Sequence, residues 1–153
     1  DGSGSIPKED FASLVDFVTT FVGSFDIGAE AVNLGIVQFS SDARDEVALS
    51  ADKEAILKAA GAMVQMQGGT NVAAGFNHCH EMLKAGARQN SRGSVVILLT
   101  DGASNDSAAA NAAATALKQE QKAKVISVGV GSNVSEAELQ QFCSPPLEQH
   151  FHR

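Results

Sequence analysis

Three short stretches carry the oxygen atoms with which this chain could do chemistry. Its first five residues, Asp1-Gly2-Ser3-Gly4-Ser5, place a carboxylate or a hydroxyl at every second position. In an extended turn that alternation aims Asp1, Ser3 and Ser5 to one side, while Gly2 and Gly4 let the backbone bend tightly. Thr70 stands in a glycine-rich stretch, Gln67-Gly68-Gly69-Thr70-Asn71, and Asp101 follows an apolar run, Ser94 to Thr100. Hard oxygens of this kind suit a hard divalent cation such as Mg2+, which prefers near-octahedral oxygen ligation and gives up its waters reluctantly. Taken alone, the first stretch also reads as an ordinary turn whose Ser5 caps the helix that follows. The cation reading requires a fold that brings the three stretches to one point.

The elements that must do so are legible in the periodicity. Pro7 suits a first helical position, and Phe11, Leu14, Val15, Val18, Phe21, Val22 and Phe25 form a helical stripe. Val32 to Phe39 predicts a buried strand, and Ala43 to Leu49 an antiparallel partner at the sheet edge. A second helix starts at Ser50, with Ile56, Leu57, Ala60, Met63 and Val64 on one face, and a third runs from about Val72 to Ala85. Ser94 to Thr100 is the plainest strand, and its unbroken apolar run predicts burial on both faces. An alanine-rich helix from Ala108 to Gln121 precedes a strand from Lys124 to Val130. Ser135 and Glu138 have the spacing of a capping box for a short helix ending near Phe142, and a last strand is expected within 150–153.

Strands alternating with helices give an α/β class: a doubly wound, mostly parallel open sheet, helices on both faces, one antiparallel edge strand. Such sheets bind ligands outside the carboxyl ends of their strands. Asp101 directly follows a strand, and Asp1, which opens a helix, should sit at the end of another. That placement predicts an apolar strand upstream of Asp1, without which the sheet has a gap at its centre.

The three stretches, Asp1-Gly2-Ser3-Gly4-Ser5, Gly68-Gly69-Thr70-Asn71 and Leu98-Leu99-Thr100-Asp101-Gly102, together resemble the metal-ion-dependent adhesion site of von Willebrand factor A domains, the family that includes integrin I domains. The likeness extends over nearly the whole chain, including Leu34 to Phe39, Val128-Gly129-Val130-Gly131 and Pro145-Pro146-Leu147-Glu148. It implies that residues 1–153 are a single domain lacking its first strand and its C-terminal strand and helix. By the same resemblance, Ser3 and Ser5 ligate the cation through their hydroxyls, and Thr70 does so directly or through water. Asp1 and Asp101 hold coordinated waters and supply charge. The implied cofactor is Mg2+, with Mn2+ or Ca2+ as substitutes, and the implied partner is a matrix or cell-surface protein offering a Glu or Asp carboxylate. The setting it implies is extracellular adhesion; an intracellular assembly subunit of a chelatase- or trafficking-type complex is the alternative.

Other features bound the reading. With 153 residues, 44% apolar, 19% charged and a net charge of −7, the chain is long enough for a real core and too acidic for nucleic acid or an anionic membrane to suit its bulk surface. No apolar run approaches a membrane span, so direct membrane insertion is not expected. Cys79 and Cys143 do not make a disulfide framework; they pair together, pair outside these residues, or stay as buried thiols, the default. Sequons begin at Asn105 and Asn133, and a glycan at Asn105, which is not expected, would lie near the proposed site. His78 and His80 do not share a helix face, and His150 and His152 lack a third ligand, which argues against zinc. Asn71 is expected to orient the Thr70 loop or simply to serve the turn. No Walker loop, G-x-G-x-x-G or G-x-S-x-G occurs, Ser3 stands where a phosphatase would want a second aspartate, and no base is stationed to activate water; an enzyme is not expected.

Overall fold

A computed structural model describes residues 1–88, 90–131 and 134–153. Its elements run α1 (Lys8–Gly23), β1 (Leu34–Phe39), β2 (Ala43–Ser50), α2 (Lys53–Gly61), α3 (Val72–Gly86), β3 (Val95–Thr100), α4 (Ser107–Glu120), β4 (Lys124–Gly129), α5 (Glu136–Phe142), α6 (Leu147–His150) and β5 (Phe151–His152). The alternation is that of a Rossmann-like α/β fold. β1 and β2 pair antiparallel, while β3, β4 and β5 form a parallel sheet in that order. Helices lie on both faces. α1, the segment after it and α2 bury Val22, Ile27 and Ile56 against Leu34, Ile36 and Val47, and a larger core gathers α3, α4 and α5 around Phe39, Phe76, Leu98, Val125 and Phe142.

The two sheets do not pair with each other along their length among the described residues. Between β1 and β3 lies an apolar cleft of about 1500 Å³, lined on its walls by Ile36, Val37, Val96 and Leu98. Its end is closed by the first residues of the chain: Asp1 donates its nitrogen to the Leu99 carbonyl at 3.0 Å, and Gly2 N–H to Phe39 at 2.7 Å. One turn thus bridges the carboxyl ends of β1 and β3.

The expected burial of β3 on both faces is corrected. Val96 and Leu98 are buried beneath the helices, whereas Val95 and Ile97 remain 53% and 40% exposed along the cleft. A continuous apolar run records the preference of each side chain but not which face of its strand is covered.

Local chemistry sets the helix ends. Pro7 is the N-cap of α1 rather than its first helical residue, and no side chain caps that helix. α2 is capped by Asp52, whose carboxylate accepts from Ala55 N–H at 3.0 Å, so Ser50 stays in β2. α2 ends at Gly61, leaving Met63 and the exposed Val64 outside it. In α4 the small residues Ala110, Ala113 and Ala114 are buried against the core, as a closely packed alanine-rich helix requires. Asp106 caps it, accepting from Ala109 N–H at 2.9 Å. Asp106→Ala should cost about 1 kcal/mol in a chemical-denaturation midpoint; a change within noise would show that another group takes over the freed amide.

The capping box at α5 does not form. Ser135 makes no side-chain cap, and Glu138 turns away from its own helix to another loop. Cys79 and Cys143 are free thiols. Cys143 donates to the Leu139 and His150 carbonyls, while burial, aided by the charge of Asp45, pushes the Cys79 thiol up to about 12. At that value the Cys79 thiol is not poised as a nucleophile at neutral pH.

Candidate functional site

The first turn, the end of β3 and the loop before α3 meet at the carboxyl edge of the strands. Ser3 Oγ lies 2.9 Å from Ser5 Oγ, and Ser5 Oγ donates to Asp101 Oδ1 at 3.1 Å. Asp1 closes the group from the other side. Its Oδ1 accepts from Ser3 N–H at 2.8 Å and its Oδ2 from Thr100 Oγ1 at 2.6 Å. Four of the five predicted residues are therefore linked, Ser3, Ser5 and Asp101 through their side chains and Asp1 through the Ser3 N–H. Ser5 faces Asp101 and does not cap α1.

Thr70 joins differently. It is buried at the same edge, yet its recorded bonds run through the backbone: its carbonyl accepts from Asn105 N–H at 2.8 Å and from Ser104 Oγ at 3.5 Å. Its loop is tied to the first turn by main chain, with Gly4 N–H donating to Gly68 at 2.8 Å and Gln67 N–H to Gly2 at 2.9 Å. Gly68 has φ +97°, a conformation that favours glycine. Asn71 orients this loop: its N–H donates to Ser40, its Oδ1 caps α3 at Ala74 N–H, and its Nδ2 donates to Ser41.

Several supporting residues carry no motif signal. Thr100, fully buried, aims Asp1 and also holds Gly102 through its hydroxyl. Gln65 Nε2 donates to the Ser3 and Ile6 carbonyls, both at 2.9 Å, and fixes the turn from beneath. Gln38 packs under Gly2, its Oε1 accepting from Met66 N–H at 2.8 Å and its Nε2 donating to Glu46 at 2.6 Å. A Cβ on Gly2 would collide with that side chain, meeting Gln38 Cδ at 2.7 Å. Gly2→Ala should therefore cost about 1–3 kcal/mol by overpacking. A thermal melt measures it, and an unshifted midpoint would mean that Gln38 swings aside freely.

The donor set suits a hard cation of moderate charge. Two carboxylates balance a divalent ion, and two neutral hydroxyls complete a cluster of oxygens. Among the described residues no three His, Cys, Asp or Glu side chains gather into a metal-binding group. The histidines do not build a rival site. His78 bonds Asp45 at 2.8 Å, His80 bonds Glu120 at 3.0 Å, and His150 Nδ1 donates to the Ser144 carbonyl at 3.0 Å. Beside Thr70, a polar hollow of about 360 Å³ opens between the starts of α3 and α4, lined by Ser41, Asn71, Asn77, Asn105 and Asp106. Asn105 is exposed there, while the sequon residue Asn133 lies outside the described residues. No helix among the described residues is long and apolar enough to cross a membrane.

Comparison with known proteins sets this geometry among relatives. The family model of the von Willebrand factor type A domain matches residues 1–153. The chain is 34% identical over 156 residues to the human collagen alpha-1(XX) chain, covering 99% of this chain and 12% of that one. It is 33% identical over 156 residues to human matrilin-1, covering 99% of this chain and 30% of the relative. Among solved structures, proximal thread matrix protein 1 from the mussel byssus, with a zinc-occupied MIDAS motif, superposes with a TM-score of 0.87 at 31% identity. That match covers 100% of this chain and 41% of the other. The chain thus spans well under half the length of each.

Proposed function

Because the chain belongs to the von Willebrand factor type A domain family, we propose that it is a divalent-cation-dependent protein-binding module of an extracellular matrix or adhesion protein. Asp1, Ser3, Ser5, Thr70 and Asp101 hold the cation, and Mg2+ is its identity. The observation that carries this reading is the connected network of Asp1, Ser3, Ser5 and Asp101 at the carboxyl edge of the strands. Hydroxyl ligands leave a bound cation electrophilic, so that it takes an anionic oxygen from outside; a glutamate or aspartate of the partner supplies it. The polar hollow beside Thr70 gives the rest of the partner surface a place to rest.

Relatives named as a collagen, a matrilin and a thread matrix protein favour a matrix setting, and none of them carries an enzyme's name. No observation favours a subunit of an intracellular complex. Calorimetric titration of Mg2+ and Mn2+ into chelator-treated protein tests the first half of the proposal, and saturable binding is expected. The second half is tested by capture of the protein on immobilised acidic peptides and collagen-like peptides, with and without chelator. Capture that ignores the chelator would overturn it.

A further inference from the structure

We propose that Glu138 is a positioning residue for this site, anchoring the Asp101–Asp106 loop to α5 and, through that loop, fixing Thr70. The inference rests on the cation reading above for its functional meaning, but not for its geometry. Glu138 is only 6% exposed, and no basic side chain pairs with it among the described ion pairs. A buried carboxylate is costly unless hydrogen bonds satisfy it. Its own helix does not explain its presence, because the capping box is not made.

What satisfies it is the site loop. Ser104 N–H donates to both carboxylate oxygens, at 3.1 and 3.3 Å, and Ser107 Oγ donates to Oε1 at 2.5 Å. Ser107 opens α4, so the negative charge also lies at a helix N-terminus, where it is favoured. From Ser104 the path continues to Thr70. The adjacent Asn105 N–H donates to the Thr70 carbonyl at 2.8 Å, and the Ser104 hydroxyl lies within reach of the Asp106 and Thr70 carbonyls, at 3.3 and 3.5 Å. The other end of the loop is pinned by Thr100 Oγ1 at Gly102, and the same hydroxyl aims Asp1. Asp101 is thus strung between two anchors, one at Thr100 and one at Glu138.

The test uses Glu138→Ala, Glu138→Gln and Ser107→Ala. Ser107 is exposed, so its loss removes one bond to Glu138 without leaving a cavity. Amide hydrogen exchange is followed in metal-free protein, and Mg2+ titration is run beside it. In Glu138→Ala the Asn105 amide should exchange at least about tenfold faster while amides in β3 and β4 keep their protection. Glu138→Gln, which retains an accepting oxygen, and Ser107→Ala should fall between it and the unaltered protein. Mg2+ affinity should drop in the same order, by about threefold to tenfold for the alanine variant.

Unchanged exchange at Asn105 in a folded variant would overturn the proposal. So would a loss of protection spread equally over β3 and β4, since that marks a purely structural role. If Glu138→Ala does not fold, Ser107→Ala decides by the same criterion. If the unaltered protein takes no Mg2+, the cation reading falls, and the exchange at Asn105 still supports or overturns the anchor.

Discussion

Asp101→Ala is expected to abolish saturable Mg2+ binding while leaving the protein folded. Asp101 supplies one of two carboxylates in the network, the other being Asp1, and its removal leaves a divalent ion facing a single negative side chain. Outer partners of a metal site typically contribute about 10–100-fold in affinity, and here the loss also halves the compensating charge. The fold should tolerate the change. Asp101 is half-exposed and its recorded side-chain partner is the exposed Ser5 hydroxyl, which water can satisfy in its place, so the stability cost should stay under about 1 kcal/mol.

Thermal melts separate the two effects. Unaltered protein at Mg2+ about 100-fold above its dissociation constant should gain about 2.7 kcal/mol, and the variant should gain nothing. A variant that binds Mg2+ as tightly as the unaltered protein would remove Asp101 from the site. Partner capture that persists in the variant and resists chelator would remove the cation from the function.

Phe142→Ala should have the largest effect on stability, about 3–5 kcal/mol. Phe142 is 0% exposed and joins α5 to α3 through Phe76, with ring centroids 5.6 Å apart and planes at 84°. Edge-to-face packing of this kind adds to the area that each ring buries. A domain stabilised by about 5–15 kcal/mol in total would lose a large part of its margin, measured by urea unfolding at constant slope. A loss under about 1.5 kcal/mol would mean that α3 and α5 close over the cavity, or that α5 contributes little to the core. Because α5 also carries Glu138, the same substitution should loosen the Asp101 loop.

Both predictions show how unevenly this protein is written in its sequence. The order and type of the elements follow from local patterns: an i, i+3, i+4 stripe in α1, branched residues in β1 and β3, and alanines in α4. The candidate donors were legible because Asp1-Gly2-Ser3-Gly4-Ser5, Gly68-Gly69-Thr70-Asn71 and Leu98-Leu99-Thr100-Asp101-Gly102 occur together, in the order and spacing of the family's site. Glu138 was misread for a related reason. Ser135 and Glu138 have the spacing of a capping box, and that spacing cannot report that Ser104 and Ser107 come closer than Ser135 does. The exposed face of β3 was misread because Val95 and Ile97 are as apolar as their buried neighbours.

By itself, then, the sequence determined the α/β class, the order of its main strands and helices, and the oxygen-bearing residues that could meet a hard cation, but not the bounds of α2 or the short helix α6. Tertiary structure decided how those oxygens are held. Thr100 reaches Asp1 across 99 positions of chain, Gln65 reaches Ser3 across 62, and Glu138 reaches Ser104 across 34. Periodicity and turn chemistry act over a few residues, because they arise from backbone geometry between near neighbours. A hydrogen bond between distant residues exists only after the sheet has set their separation, and the same side chains in another topology would have other partners.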